Sequence, residues 1–271
     1  MLNNLLRQAQ SGLHDPIERA QIALRWPFEI DGKVAGTVTE ETARFLEATV
    51  QGLNIENECL TLSPVCSKDS VPVLEHVAAA LRQAGRLPRW RDELLAVVAD
   101  DGTSLGVIER ATMRPLGLHM AATHLVGRRR DGRYWLQQRA LDKDTDPGLW
   151  DTLAGGLVGT EMVDGIRQRE NLKRATQRES WEEAGIPESL LREMQRLPTS
   201  LINRMVSEGH MVQDNYAFLA SLPVDFFPQN LDGEVEKFEH FSRAEVIEMI
   251  WQEQLALEPA IIMLQLFIQK A

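Results

Sequence analysis

The stretch with most chemical content is Arg178-Glu179-Ser180-Trp181-Glu182-Glu183-Ala184-Gly185-Ile186. Three carboxylates fall within five residues, at the end of a segment with helical periodicity. At about 3.6 residues per turn, Glu179 and Glu183 stand nearly one above the other, with Glu182 on the flank of the same face. Local energetics oppose this arrangement. Like charges at i,i+4 cost about 0.2–0.5 kcal/mol, and carboxylates at a helix C-terminus oppose its dipole. A local rule broken several times in one turn often marks a functional site. Three acids on one face, with no lysine between them, suit a hard divalent cation with oxygen ligands. A solvated acidic face is the competing explanation. The stripe argues against it, since Glu179 and Glu183 continue the line of Leu172 and Ala175 while Trp181 falls opposite.

The elements that must position these acids divide into two parts. Residues 1–115 read as a small α+β unit and residues 116–271 as a second domain, with Arg114-Pro115-Leu116-Gly117 at the boundary. Residues 1–24 look helical, broken near Gly12 and Pro16. A hairpin is expected around Asp31-Gly32, a helix capped by Thr39, and another over 70–84 ending at Gly85. Strands follow around Asp100-Asp101-Gly102. In the second part, strands over 119–127 and 134–139 lead through Pro147-Gly148 and Gly155-Gly156 to a helix over 167–184. Strands over 197–206, 211–222 and 234–241 precede helices at 243–253 and 258–270. Mixed strands with a central helix indicate an α+β layered fold.

The totals exclude several classes. Net charge is 29 − 40 = −11, which disfavours a nucleic-acid binder. No run approaches the roughly 18 apolar residues of a membrane span, and the N-terminus lacks a signal-peptide core. Cys59 and Cys66 are too few for a disulfide framework and fit a reducing, cytoplasmic setting.

The spacing resembles the Nudix pattern, G-x5-E-x7-R-E-U-x-E-E-x-G-U, where U is bulky and apolar. Glu170, Arg178-Glu179, Glu182-Glu183 and Gly185-Ile186 match; Ser180 departs from the apolar U. Upstream, thirteen residues separate Gly156 from Glu170. The pattern has five there, so eight residues of the type GTEMVDGI are extra, and Glu161 rivals Glu170 as the upstream acid. The resemblance implies a mixed sheet between helices, magnesium or manganese held by Glu179, Glu182 and Glu183, and hydrolysis of a diphosphate linked to another group. It also implies that Arg178 orients the acids and that Gly155 and Gly156 let backbone approach the phosphates.

Further segments are similar to a subgroup related to thiamine pyrophosphokinase that carries an additional N-terminal domain. They are Pro147-Gly148-Leu149-Trp150-Asp151, Glu109-Arg110, His119, and Phe226-Phe227-Pro228 through Glu236. That resemblance implies thiamine diphosphate, or its oxo and oxy forms, as the small-molecule substrate. The N-terminal domain would shape the pocket or an oligomer contact such as that of a homodimer. An isomerase of isopentenyl diphosphate and a non-catalytic Nudix-fold binding module are the alternatives.

Other candidates stand on their own chemistry. Glu234 and Glu236 flank Val235 on a strand, so both face one way. Glu234 is assigned as a further metal ligand and Glu236 as a catalytic residue, with an exposed acidic face as the alternative. Arg139 and Lys143 are assigned to phosphate binding, as a fork and a point charge. Arg128-Arg129-Arg130 reads as a solvated turn, His119 and His124 as structural strand residues, and Trp150 as packing beneath a loop.

Overall fold

The computed structural model describes residues 2–11, 16–62, 70–143, 145–164 and 166–269. Cys66 and Gly12 lie outside them. The N-terminal part holds α1 (Leu2–Ser11), α2 (Pro16–Ala23), β1 (Trp26–Ile30), β2 (Lys33–Val38), α3 (Glu40–Thr49), β3 (Leu53–Glu56), β4 (Cys59–Leu62), α4 (Ser70–Gln83), β5 (Leu94–Val98) and β6 (Ser104–Glu109). Four strands form a sheet in the order β2-β1-β4-β3, and β5 pairs with β6. The β1–β2 hairpin turns through Asp31 and Gly32 at φ 53° and 70°, the left-handed pair this tight turn demands. Thr39 caps α3 by accepting from the Thr42 N–H at 3.2 Å. The β3–β4 hairpin escaped the sequence reading. Its turn residues, Asn57 and Glu58, hold φ of 49° and 59° without a glycine to announce them.

The second part centres on β7 (His119–Arg129), flanked by β8 (Tyr134–Arg139) and by β15 (Gly209–Leu222). The β7–β15 pairing is parallel and its neighbours antiparallel, so the sheet is mixed. β9 (Trp150–Asp151), β10 (Ala154–Leu157), β13 (Gln195–Arg196), β14 (Ser200–Val206) and β16 (Val235–Phe241) complete it. Side chains alternate between two cores. Leu125, Trp135, Phe218 and Ala220 face α5 (Leu172–Ala184) and Ile186. Val126, Tyr134, Ala217 and Leu219 face α6 (Arg243–Trp251) and α7 (Leu257–Gln269). This is the expected α+β arrangement, a mixed sheet between helices preceded by a small α+β unit. No helix among the described residues is long and apolar enough to cross a membrane.

The two parts share packing. One core cluster joins Phe28, Leu46 and Leu74 to Leu118, Met120, Ile202 and Ile261. Leu5 of α1, with Leu2, Leu6 and Ala9, packs on the α7 cluster of the second part. At the junction the Thr37 N–H donates to the Leu116 carbonyl at 2.9 Å. A Cβ at Gly36 would lie 2.4 Å from that oxygen, so glycine is required there.

Three local expectations are corrected. The catalytic-region helix begins at Leu172 rather than 167, because Asn171 caps it, accepting from Lys173 N–H at 3.0 Å and Arg174 N–H at 3.3 Å. The residues ahead of that cap, together with the extra eight, fold as a hairpin, β11 (Thr160–Val163) and β12 (Ile166–Arg169). It lies against β5 and β6 of the N-terminal unit. Arg129 is not part of a solvated turn: it is buried, pairs with Asp131 at 2.9 Å and lies over the Trp135 ring.

Candidate active site

The carboxylates of α5 are delivered at a helix end stopped by Gly185, whose φ is 62°. The Gly185 and Ile186 N–H groups return to the Trp181 and Ser180 carbonyls at 3.0 and 3.1 Å, so the final turn is closed. Ser180, the departure from an apolar position, is fully buried and gives its hydroxyl to the Thr176 carbonyl at 2.6 Å. Thr176 in turn meets the Thr123 hydroxyl of β7. A polar seam therefore joins helix to sheet where an aliphatic contact was expected, at no loss of hydrogen bonding.

Arg178 is the hub of the first group of acids. Its Nη1 donates to Glu179 Oε1 at 2.7 Å and to Glu182 Oε2 at 3.1 Å, and its Nη2 donates to Glu170 Oε2 at 3.1 Å. Glu170 is thus the upstream acid that Arg178 holds. Glu161 is engaged elsewhere, accepting from the Asn171 N–H at 2.9 Å and pairing with Arg174 at 2.9 Å. Burial disfavours the Arg178 charge, but Glu179, Glu170 and Glu182 together raise its proton affinity. Burial also pushes Glu179 up to about 7 against the pull of Arg178, with Glu182 and Glu93 adding repulsion.

Glu183 anchors the second group. Its carboxylate is 3% exposed, and Oε2 accepts from the Gly155 N–H at 2.8 Å and from Gln137 Nε2 at 2.9 Å. Burial raises it to about 8, with Lys143 at 3.9 Å opposing and Glu179 reinforcing. Oxygens of Glu183, Asp232 and Glu234 lie within 4.8 Å of one another. Lys143 also pairs with Glu234, whose affinity for protons it lowers against the effect of burial.

The glycine pair serves these acids. In β10, Gly155 and Gly156 stand opposite His124 and Thr123. A Cβ at Gly156 would sit 2.4 Å from the Glu179 carboxylate, and one at Gly155 would sit 2.9 Å from His124 Nδ1. The pair admits two carboxylates to the backbone, Glu183 on the Gly155 N–H and Glu179 against Gly156.

Gly155, Gly156, Arg178, Glu179, Glu182, Glu234, Arg139 and Lys143 line one cavity of about 340 Å³. Arg139 is tied down there, with Nη1 on Asp151 at 2.9 Å and Nε and Nη2 on the Thr145 carbonyl at 3.1 and 2.9 Å. It braces the Pro147–Asp151 turn rather than offering a free fork. Glu236 does not reach the cavity. The β16–β8 register shifts between Val235 and Lys237, so Glu236 falls in a bulge, exposed, and the simple alternation that put it beside Glu234 fails. His124 is buried with both ring nitrogens engaged, on Thr152 and Asn215 at 3.2 Å. Trp150 packs edge-on against Phe241.

Sequence reasoning missed Asp232 and a set of arginines. Asp232 accepts from the Glu234 N–H at 2.9 Å, and Gly233 turns at φ 86°; the Asp-Gly turn was the available signal. Arg110 and Arg114, from the N-terminal side, line the same cavity as Glu179. In the sequence, Arg110 falls only within the subgroup resemblance and Arg114 only at the domain boundary; neither is assigned to the site, because only tertiary packing brings them there.

The geometry can be set beside known proteins. Residues 117–261 match the family model described as NUDIX domain. Nudix hydrolase 24, chloroplastic, from Arabidopsis thaliana is 30% identical over 244 residues, covering 83% of this chain and 61% of that protein. Nudix hydrolase 20, chloroplastic, from the same plant is 28% identical over 251 residues, covering 83% and 62%. This chain therefore spans less than two thirds of the length of either relative. The crystal structure of DR0079 from Deinococcus radiodurans aligns with a TM-score of 0.45 at 18% identity, covering 60% of this chain and 92% of that one.

Proposed function

The chain belongs to the Nudix family, and from that premise we propose that it hydrolyses a small molecule carrying a diphosphate, with thiamine diphosphate or its oxidised forms as the first candidates and phosphate as a product. The observation that carries this is Glu183: a carboxylate side chain buried to 3% exposure, beside Asp232 and Glu234, which line the cavity together with Lys143 and Glu179. Burying an acid is costly unless a cation or a proton compensates.

The donor set fits a hard divalent cation. Three carboxylates with oxygens within 4.8 Å of one another are the ligand type magnesium and manganese take. Glu183, Asp232 and Glu234 would hold it, with Glu179 and Glu182 adjoining. When bound, it would neutralise diphosphate charge and acidify a water.

The chain's own residues do the rest. Lys143 sits between Glu183 and Glu234 and offers a point charge to a phosphate oxygen. Glu179 has Oε1 committed to Arg178, and its affinity near 7 suits it to accept and return a proton near neutral pH. Arg178 fixes the orientation of Glu170, Glu179 and Glu182 at once. The Gly155 N–H holds Glu183 Oε2, so that carboxylate cannot rotate away. Glu236 has no part in this scheme. The proposed setting is a reducing aqueous compartment, the cytoplasm in the simplest case.

Phosphate release with magnesium from thiamine, sugar and nucleoside diphosphates, for wild type and Glu183→Gln, tests this. Turnover by wild type that disappears in the variant is expected. Undiminished turnover in Glu183→Gln would overturn the assignment, and tight binding without turnover by wild type would identify a non-catalytic module.

A further inference from the structure

Beside the carboxylate cavity lies a second one of about 360 Å³. The two share a wall made by Arg110, Arg114, Lys143, Asp232 and Glu234 with the floor residue Leu157. Glu179 and Glu182 line only the first, whereas Arg89 and Arg91 line only the second. Six cationic side chains line the second cavity against four carboxylates, in a chain whose net charge is −11. The cavity wall itself thus carries more cationic than anionic side chains, the lining an anion site uses.

Arg91 and Arg110 are held in place by the N-terminal unit, and Arg114 by the second part. Glu109 ends β6 at 4% exposure. One of its oxygens accepts from the Arg91 N–H and the other from the Ala111 N–H, both at 2.7 Å. A single buried acid thereby fixes the backbone of Arg91 and of the Arg110–Thr112 turn. Arg110 gives Nη1 to Glu93 at 2.7 Å, and Arg114 gives Nη1 to Glu208. Arg114 is also clamped through its carbonyl, which takes the His210 N–H at 2.9 Å. Among the described residues, each guanidinium makes only that side-chain bond. The Arg110 and Arg114 forks therefore keep donors available for a ligand in the cavity they line.

We infer that the N-terminal unit completes the active site with an anion subsite on Arg110 and Arg114, which takes the terminal phosphate of a diphosphate monoester. This rests on the hydrolase function proposed above. A terminal phosphate carries about −1.5 to −2 charge near neutral pH. It therefore needs more cationic partners than the inner phosphate, which carries an ester, and the second cavity supplies them. With the diphosphate lying across the shared wall, its inner phosphate meets Lys143 beside the carboxylates and its terminal phosphate meets the arginines. A diphosphate with organic groups at both ends has no terminal phosphate to place there. The subsite therefore selects monoesters over dinucleotide-like diesters.

The test is calorimetric titration of inorganic pyrophosphate into metal-free protein in EDTA. Wild type, Arg110→Gln, Arg114→Gln and the distant surface variant Arg44→Gln are compared. The two cavity variants are expected to bind at least about tenfold more weakly, the loss of one charge-assisted hydrogen bond. Arg44→Gln should match wild type. Arg110→Lys and Arg114→Lys, which keep the charge beside Glu93 and Glu208, cover the case where a glutamine variant unfolds; they should fall between. Equal binding by all variants, or none by wild type, overturns the subsite. Turnover of the panel without metal-free pyrophosphate binding refutes the subsite alone. Arginine-dependent binding without turnover supports the subsite and refutes hydrolysis.

Discussion

Gly156→Ala tests whether the glycine pair exists for the carboxylates. The backbone at Gly156 is one alanine adopts freely, so any effect is steric. The new Cβ would stand 2.4 Å from Glu179 Cδ and Oε2, whereas ordinary contact begins at 3.4 Å. The carboxylate must retreat by 3.4 − 2.4 = 1.0 Å. It cannot do so cheaply, because Oε1 is held by Arg178 at 2.7 Å and the side chain is only 14% exposed. Displacing a reacting group by about 1 Å costs on the order of 100-fold in rate. The expected result is therefore a fall of about 100-fold in kcat/KM, mostly in kcat, accompanied by a lowered melting temperature from the strain at the Arg178–Glu179 hydrogen bond. In a Glu179→Ala background the same substitution should have almost no further effect, since the clashing group is gone. Full activity in Gly156→Ala, or an undiminished effect in the double variant, would refute the idea that this contact positions Glu179.

Three more predictions follow from the same geometry. Glu183 has its folded-state pKa near 8, above the ordinary 4.5, so the folded protein binds the extra proton between those values and loses stability as pH rises through them. Metal-free Glu183→Gln should thus melt higher than wild type at pH 8.5, with the gap closing towards pH 5; an unchanged gap in thermal scans would contradict it. His210 is buried between Thr37 and Asn203 at 2.8 Å, and burial, then Arg25, lowers it to about 4. The unfolded chain then binds the extra proton, so stability should fall as pH drops from 6.5 towards 4, by up to about 3 kcal/mol, and urea titrations of His210→Asn should show a flatter pH profile than wild type. Asn171→Ala removes the α5 cap and should cost about 1 kcal/mol in urea denaturation while sparing kcat, because the acids sit at the other end of the helix.

Much of this site was readable because its chemistry is local. Glu179, Glu182 and Glu183 share a face by helical arithmetic, and Arg178 reaches Glu182 across one turn. The glycine that ends α5, the Thr39 cap and the Asp31-Gly32 turn are each set by a few adjacent residues. Expectations failed where the outcome depended on distant partners or on small breaks in regularity. A single bulge after Val235 took Glu236 out of register. Arg139 carries the charge of a phosphate ligand but is claimed by Asp151 and the Thr145 carbonyl, which only folding reveals. Asp232 belongs beside Glu183 across more than forty residues of chain. Arg110 and Arg114 enter from a different part of the molecule altogether.

The β11–β12 hairpin takes up the extra length by which the sequence departs from the Nudix spacing, together with the residues before the Asn171 cap, and it rests on β5 and β6. Thr160 reaches the Leu94 carbonyl at 3.3 Å, and Glu161 ties the hairpin to the start of α5. The longer spacing and the N-terminal unit are therefore one heritable trait. A lineage that lost either would remove the surface the other rests on, so the two are expected to be gained and discarded together. In engineered chimeras, likewise, the crossover point belongs outside residues 94–169, where a cut would not separate the hairpin from its seat.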